Sequence, residues 1–133
     1  MRKLLIAAVI TLVAAAALHA ATMNEFYASL LKRGIDHVNA GAYEAGAGEL
    51  KLAAFGLVDA LEPYQTAQVY LAIANQHLDR EPQTRAAATR VIAAERIEKH
   101  YATLALPDKV RKEFEAIAQK VLTAVQYAEL RGR

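Results

Sequence analysis

The sequence predicts an all-α protein built from antiparallel helical hairpins. Alanine, the strongest helix former, occurs 30 times in 133 residues, whereas aromatic residues, which favour strands, make up 7%. Apolar residues recur at intervals of three and four, and no alternating strand pattern competes with them. A hydrophobic fraction of 55% with 23% charged residues is typical of a folded chain of one small domain. We therefore expect about five helices after an N-terminal export segment.

Residues 1–20 have the composition of a secretory signal peptide. Arg2 and Lys3 form a basic start, an uncharged apolar run extends from Leu4 to Leu18, and small residues follow. We expect cleavage after Ala20, with an earlier cut at residues 15–17 as the alternative. The alternative is an uncleaved N-terminal membrane anchor, although the apolar run of about 15 residues is shorter than the ~20 that span a bilayer. The mature chain is therefore expected to be periplasmic or secreted, with no integral membrane span.

Charge argues against a nucleic-acid partner. The chain has 16 basic and 14 acidic residues, a formal charge of +2, and loss of Arg2 and Lys3 would leave 14 of each. The basic isoelectric point is therefore partly a property of the export segment. Residues 21–79 carry a net −4 and residues 80–133 a net +4. These two halves either steer a partner or attract each other within the fold.

The first hairpin is predicted over residues 21–61. Thr22 and Glu25 have the spacing of a capping box, in which each side chain covers an unpaired backbone amide. Asn39 and Gly41 are expected to end the first helix. The apolar stripes are Phe26, Tyr27, Leu30, Leu31, Gly34, Ile35 and Val38 before this turn, and Tyr43, Ala47, Leu50, Ala53, Ala54, Leu57 and Leu61 after it.

The second hairpin is predicted over residues 62–101 and a C-terminal capping helix over residues 107–131. Pro63 and Pro82 suit the first position of a helix, where a missing amide costs nothing. Residues 102–106 lack helical periodicity and precede Pro107, which predicts an extended connector. The stripes are Ala67, Tyr70, Leu71, Ala74 and Leu78, then Ala87, Val91, Ala94, Ile97 and Tyr101, and finally Val110, Phe114, Ile117, Val121, Ala124 and Ala128.

The first hairpin has a characteristic spacing of small and large residues around its turn: Gly34, Gly41, Tyr43, Leu50 and Ala53. This spacing resembles a tetratricopeptide repeat, a helical hairpin of about 34 residues with small residues where its helices cross. A weaker second copy rests on Leu71-Ala72 and on Ala87, Val91 and Ala94. The sequence departs from the family pattern at Gly46, where alanine is usual, and in the turn at residues 79–83. A plain alanine-rich helical bundle would share much of this pattern.

The resemblance implies a protein-binding scaffold without catalysis, whose first helices line a concave groove. By position, the groove residues would be Leu31, Ile35, Val38 and Asn39 in the first copy and Val69, Ile73, Gln76 and His77 in the second. We expect the partner to be another envelope protein or a peptide segment of one. The alternative at each apolar position is packing against the neighbouring hairpin. The alternative function is a helical-bundle ligand carrier or a small enzyme with a pocket between helices.

No catalytic, metal or cofactor site is predicted. The chain has no cysteine, and none of His37, His77 and His100 has a second histidine one turn away. Glu95 and Glu98 have the spacing of a carboxylate metal pair, but interleaved basic residues favour a solvated face with ion pairs. Separately, a basic patch of Arg85, Arg96 and Lys99 could meet an acidic partner or anionic lipid. We expect the concave side to carry the main contact instead.

Overall fold

The structure, a computed structural model, describes residues 23–132; the predicted signal peptide and the predicted cap at Thr22 lie outside this range. Within it the chain forms six α-helices and one short 3-10 turn, and no strand. The predicted all-α fold is confirmed. The elements are α1 (residues 23–39), α2 (Tyr43–Gly56), α3 (Leu61–His77), α4 (Glu81–Ile97), the 3-10 turn (Tyr101–Thr103), α5 (Asp108–Val121) and α6 (Ala124–Leu130).

The turn between α1 and α2 is short because Gly41 adopts a positive φ of 78°. The amide of Gly41 donates to the carbonyl of Val38 at 3.0 Å. The two helices then cross closely: a Cβ at Gly34 would lie 2.7 Å from Cγ of Leu50. A Cβ at Gly46 would likewise lie 3.1 Å from the carbonyl oxygen of Gly34. Small residues are therefore required at this crossing, as the sequence predicts.

The central helix is α3, which packs between α2 and α4 and also contacts α5. Its segment from Ala67 to Asn75 is buried without interruption. A helix that is buried on every side needs small or apolar residues around its whole circumference. Ala67, Ala72 and Ala74 meet this need, and each is 0% exposed. The core is thus built around α3, with α6 contacting α4 and α5 at the far end.

The C-terminal part differs from the single predicted helix. The helix α5 ends before Leu122, whose backbone is extended with φ −92° and ψ 158°. The next helix, α6, starts after Thr123. The Thr123 side chain accepts from the amide of Gln126, while the Gln126 side chain accepts from the amide of Thr123. This capping box starts a new helix in a new direction, so that Leu122 and Leu130 are buried in the core. Ala124, which the sequence places on the apolar stripe of a single helix, is exposed. Residues 23–132 therefore form six α-helices and not the five predicted.

The boundaries of α3 and α4 also differ from those predicted. α3 begins at Leu61, so that Pro63 lies in its first turn, where an amide is still not needed. α4 ends at Ile97, whose side chain is 69% exposed and not buried as predicted. The helix stops because Glu95 Oε2 accepts from the amides of His100 and Tyr101, which turns the chain inward. Part of the predicted connector is a 3-10 turn.

No helix among residues 23–132 combines the length and apolar character that crossing a membrane requires.

Candidate binding site

Three of the predicted concave residues lie in the hydrophobic core. Val38, Val69 and Ile73 are 6%, 0% and 3% exposed. Val69 and Ile73 belong to α3, which is covered by α2, α4 and α5. These three side chains are therefore almost wholly buried and contribute to packing between the helices.

The remaining five predicted residues lie at or near the surface. Leu31 and Ile35 are half-buried and pack against the core. The side chains of Asn39, Gln76 and His77 are exposed.

The imidazole of His77 is engaged within the protein on two sides. Its ring stacks on Tyr43 with centroids 4.1 Å apart and planes 2° apart. Its Nε2 lies 2.8 Å from Oε1 of Glu113 on α5. The recess at this point has a volume of about 100 Å³. It brings together Val38, Asn39, Ile73 and His77 of the predicted set; Gln76 lines a separate recess, and Leu31, Ile35 and Val69 line neither.

A larger opening, which the sequence analysis missed, lies between α2 and α4 over the face of α3. It consists of two adjoining recesses of about 520 and 370 Å³. Lys51, Leu71 and Arg90 line both recesses. We call this opening the α2–α4 groove.

The floor of the α2–α4 groove is polar at both ends. Gln68 and Asn75 of α3 line it on either side of Leu71, and they are 3% and 5% exposed. Gln68 Oε1 is buried and has no hydrogen-bond partner among the described residues. Gln65, on the same helix, is satisfied, because its Nε2 donates to the Val91 carbonyl and to Glu95, both at 3.1 Å. A buried amide oxygen without a donor is uncommon in proteins and marks Gln68 as unusual.

The walls of the groove divide into a charged end and an apolar end. At the charged end Arg80 pairs with Glu44 at 2.7 Å. In the middle Lys51 of α2 and Arg90 of α4 line both recesses, and within residues 23–132 neither makes an ion pair. At the apolar end Phe55 and Val58 are 77% and 56% exposed. The groove therefore offers exposed apolar side chains next to two cations that have no acidic partner in the described part of the chain.

The other polar clusters have structural roles. Arg85 donates to the carbonyl of Val121 at 2.6 Å, and Arg96 donates to both carboxylate oxygens of Glu129 at 2.6 and 2.8 Å. The hydrogen bonds from Arg96 hold the pKa of Glu129 below its usual range. These contacts tie α4 to α5 and α6, so two of the three members of the predicted basic patch are already engaged.

The acidic and histidine side chains form local pairs. Glu98 lies 2.6 Å from Nε2 of His100, and Glu49 lies 2.8 Å from Nδ1 of His37. Glu95 caps the backbone after α4. In the described part of the chain, no group of three or more potential ligands is placed to hold a metal ion.

A signal for the groove does exist in the sequence. Gly48, Lys51 and Phe55 are spaced by three and four residues, as are Gln68, Leu71 and Asn75, so each set shares one helix face. Ala86 and Arg90 likewise share a face of α4. What the sequence does not indicate is that these three faces meet around one opening.

Comparisons of the chain with protein-family models, with curated proteins and with solved structures find no match. A function for this chain is therefore inferred from its own geometry.

Proposed function

We propose that this chain is a small exported adaptor that binds a segment of another envelope protein, with no catalysis of its own. The observation that carries this proposal is the α2–α4 groove, with its exposed Phe55 and with Lys51 and Arg90, which make no ion pair among residues 23–132. The recess at His77 is smaller and is bridged by the contact with Glu113. The proposed contact surface is therefore the α2–α4 groove and not the concave side.

The dimensions of the groove suit a peptide. Glu44 and Phe55, both on α2, stand towards its two ends, about 16 Å apart at a helical rise of ~1.5 Å per residue. An extended segment of about five residues has this length. Apolar side chains and charged groups along one groove are the combination that peptide-binding proteins use for affinity and specificity.

The resemblance to tetratricopeptide repeats remains part of the proposal. It is supported by the close crossing of α1 and α2 at Gly34 and Gly46, where a Cβ would meet Leu50 or Val38. The proposed adaptor departs from the expectation for such repeats, because its groove lies between the second helices of the two hairpins.

Site-specific cross-linking in the native host tests the proposal. A photoreactive phenylalanine analogue is placed at Gly48 or Ala86, which line the groove, and at Ala116, an exposed position on α5 outside it. We expect the groove positions to give a defined adduct with an envelope protein and Ala116 to give none. Equal labelling from all three positions, together with a small molecule that co-purifies with the chain, would favour the ligand-carrier alternative.

Export has its own test. The basic, apolar and small residues of positions 1–20 support cleavage near Ala20. Mass spectrometry of the protein from its native host is expected to give an N-terminus near Ala21. Recovery of intact Met1 in a membrane fraction would contradict export with cleavage.

A further inference from the structure

We infer that the α2–α4 groove selects segments that carry an acidic side chain two residues from a large apolar one. This inference rests on the proposed function and names the chemistry of the partner. Three features of the groove lead to it: its two cations, its apolar end and the buried amide of Gln68.

The cations call for a carboxylate. Lys51 and Arg90 line both recesses from opposite walls, and neither has an acidic partner in the described region. Arg80, at the charged end, is already neutralised by Glu44. A carboxylate between Lys51 and Arg90 would accept charge-assisted hydrogen bonds from both, which are stronger than bonds between neutral groups.

The apolar end calls for a large side chain next to that carboxylate. Phe55 and Val58 are exposed, and Ala54 and Tyr64 line the same recess. Lys51 and Phe55 are one helical turn apart, about 6 Å at a rise of ~1.5 Å per residue. Side chains at alternate positions of an extended peptide point to the same side about 6.6 Å apart. The acidic and apolar residues of the ligand are therefore expected two positions apart.

Gln68 distinguishes a peptide from a lipid. An anionic lipid offers a negative group and an apolar chain, as the acidic segment does. Gln68 lines the apolar recess, and its Oε1 lacks a donor within residues 23–132. If the side-chain amide rotates, its oxygen and nitrogen exchange places, and the oxygen would then be able to accept from a peptide N–H in the groove. A fatty acid has no N–H to donate, so the peptide is the better match.

Selection from a random library tests the inference. A displayed library of random twelve-residue peptides is selected on the mature protein, and the enriched peptides are synthesised and measured by fluorescence polarisation. Each is also measured on a K51E/R90E double variant and on a K32E/K112E variant, which makes the same charge change at exposed lysines outside the groove. Circular dichroism and melting temperature verify that both variants are folded.

We expect enriched peptides to share an aspartate or glutamate two positions from leucine, isoleucine, phenylalanine or methionine. Their affinity should fall at least tenfold on K51E/R90E and stay within twofold of wild type on K32E/K112E. Exchanging the acidic residue for lysine in the peptide should restore binding to K51E/R90E. N-methylation of the peptide amide nearest the apolar residue should weaken binding to the wild type and have little effect on a Q68M variant.

The possible failures are distinguishable. A library that yields no enriched peptide overturns the proposed adaptor function together with this inference. Enriched peptides that lack an acidic residue, or that bind K51E/R90E as well as wild type, overturn only the inference. Oleate is the lipid probe: if it binds the wild type more tightly than any selected peptide and displaces them all, the groove is a lipid site and the inference is wrong. Should Q68M fail to fold, the N-methylated peptide on the wild type still decides the role of Gln68.

Discussion

A Cβ atom added at Gly46 would lie 2.8 Å from Cγ2 of Val38, so the crossing of α1 and α2 leaves no room for a side chain at this position. Gly48, two residues further along the same helix, has no neighbour within 4 Å and lines the α2–α4 groove. The two glycines share a helix but serve different needs. Gly46 allows α1 and α2 to pack closely, whereas Gly48 places no side chain in the α2–α4 groove.

The Gly46→Ala and Gly48→Ala variants should therefore change stability in opposite directions. Alanine at Gly46 has to push Val38 away, which costs about 1–3 kcal/mol of overpacking. Alanine at Gly48 enters open space and should stabilise the fold by about 0.5–1 kcal/mol, because glycine is a poor helix former. Urea denaturation followed by circular dichroism measures both. Equal shifts in the same direction would contradict the close crossing.

Burial of Ile73 makes it a test of packing. Ile73 is 3% exposed, whereas Ile35, its counterpart in the predicted first repeat, is half-buried. Replacing Ile73 by alanine should cost about 2–5 kcal/mol, and the same change at Ile35 should cost less. Ile73→Asp should lose the helical circular-dichroism signal at 25 °C. If the Ile73→Asp variant folds with a melting temperature near wild type, Ile73 is not part of the core and the predicted binding surface is correct at this position.

The buried hydroxyl of Tyr101 should make the fold sensitive to high pH. Burial raises the pKa of Tyr101 well above its ordinary value, and the nearby Glu115 carboxylate raises it further. Above pH 10 the unfolded chain would release this proton while the folded protein retains it, so stability falls as pH rises. The loss reaches about 1.4 kcal/mol for each further pH unit. Tyr101→Phe should remove this part of the slope in denaturation at pH 9 to 11; an unchanged slope would contradict the assignment.

Glu49 should give the opposite dependence at low pH. Burial opposes its ionisation, but hydrogen bonds from His37 and Arg33 outweigh burial and lower the pKa of Glu49. Ionised Glu49 therefore stabilises the fold above pH 4.5, and this contribution is lost as pH falls through the lower folded-state pKa. Glu49→Gln should reduce stability by at most about 1 kcal/mol at pH 7 and flatten the decline below pH 4.5. A decline as steep as in wild type would show that other groups cause it.

The order of the helices from α1 to α4 could be predicted because its signals are local. The turn at Gly41 needs a positive φ, and Pro82 can start a helix but cannot continue one. The end of α4 could not be predicted in the same way. It depends on the Glu95 side chain, which accepts backbone amides five and six residues later.

The site could be predicted only in part, because it depends on how separate helices meet. The resemblance to a repeat family places Val69 and Ile73 on one face of α3, but it does not say whether that face is open or covered. The position of α5 decides this, and α5 follows α3 by some thirty residues. The sequence also does not predict that Gln68 Oε1 lacks a hydrogen-bond donor among residues 23–132. Gln65, a glutamine on the same helix, does find a hydrogen-bond partner on α4.

The break between α5 and α6 leads to the last prediction. Ala124 and Ala128 continue the apolar spacing of α5, and alanine suits buried and exposed positions alike, so the pattern concealed the break. The decisive residues are Thr123 and Gln126, which form the capping box of α6. Thr123→Ala removes the side chain that accepts from the Gln126 amide and should cost about 1 kcal/mol.

Thr123→Ser keeps the hydroxyl and is the matched control, expected to lie within about 0.5 kcal/mol of wild type. Hydrogen exchange localises the effect: the Gln126 amide should exchange faster in Thr123→Ala, while amides in the middle of α3 should keep their relative protection. Because Leu130 is buried at the end of α6, the alanine variant should also loosen the packing of that helix against α4. If Thr123→Ala is as stable as wild type and α6 stays protected, burial of Leu122 and Leu130 alone sets the break.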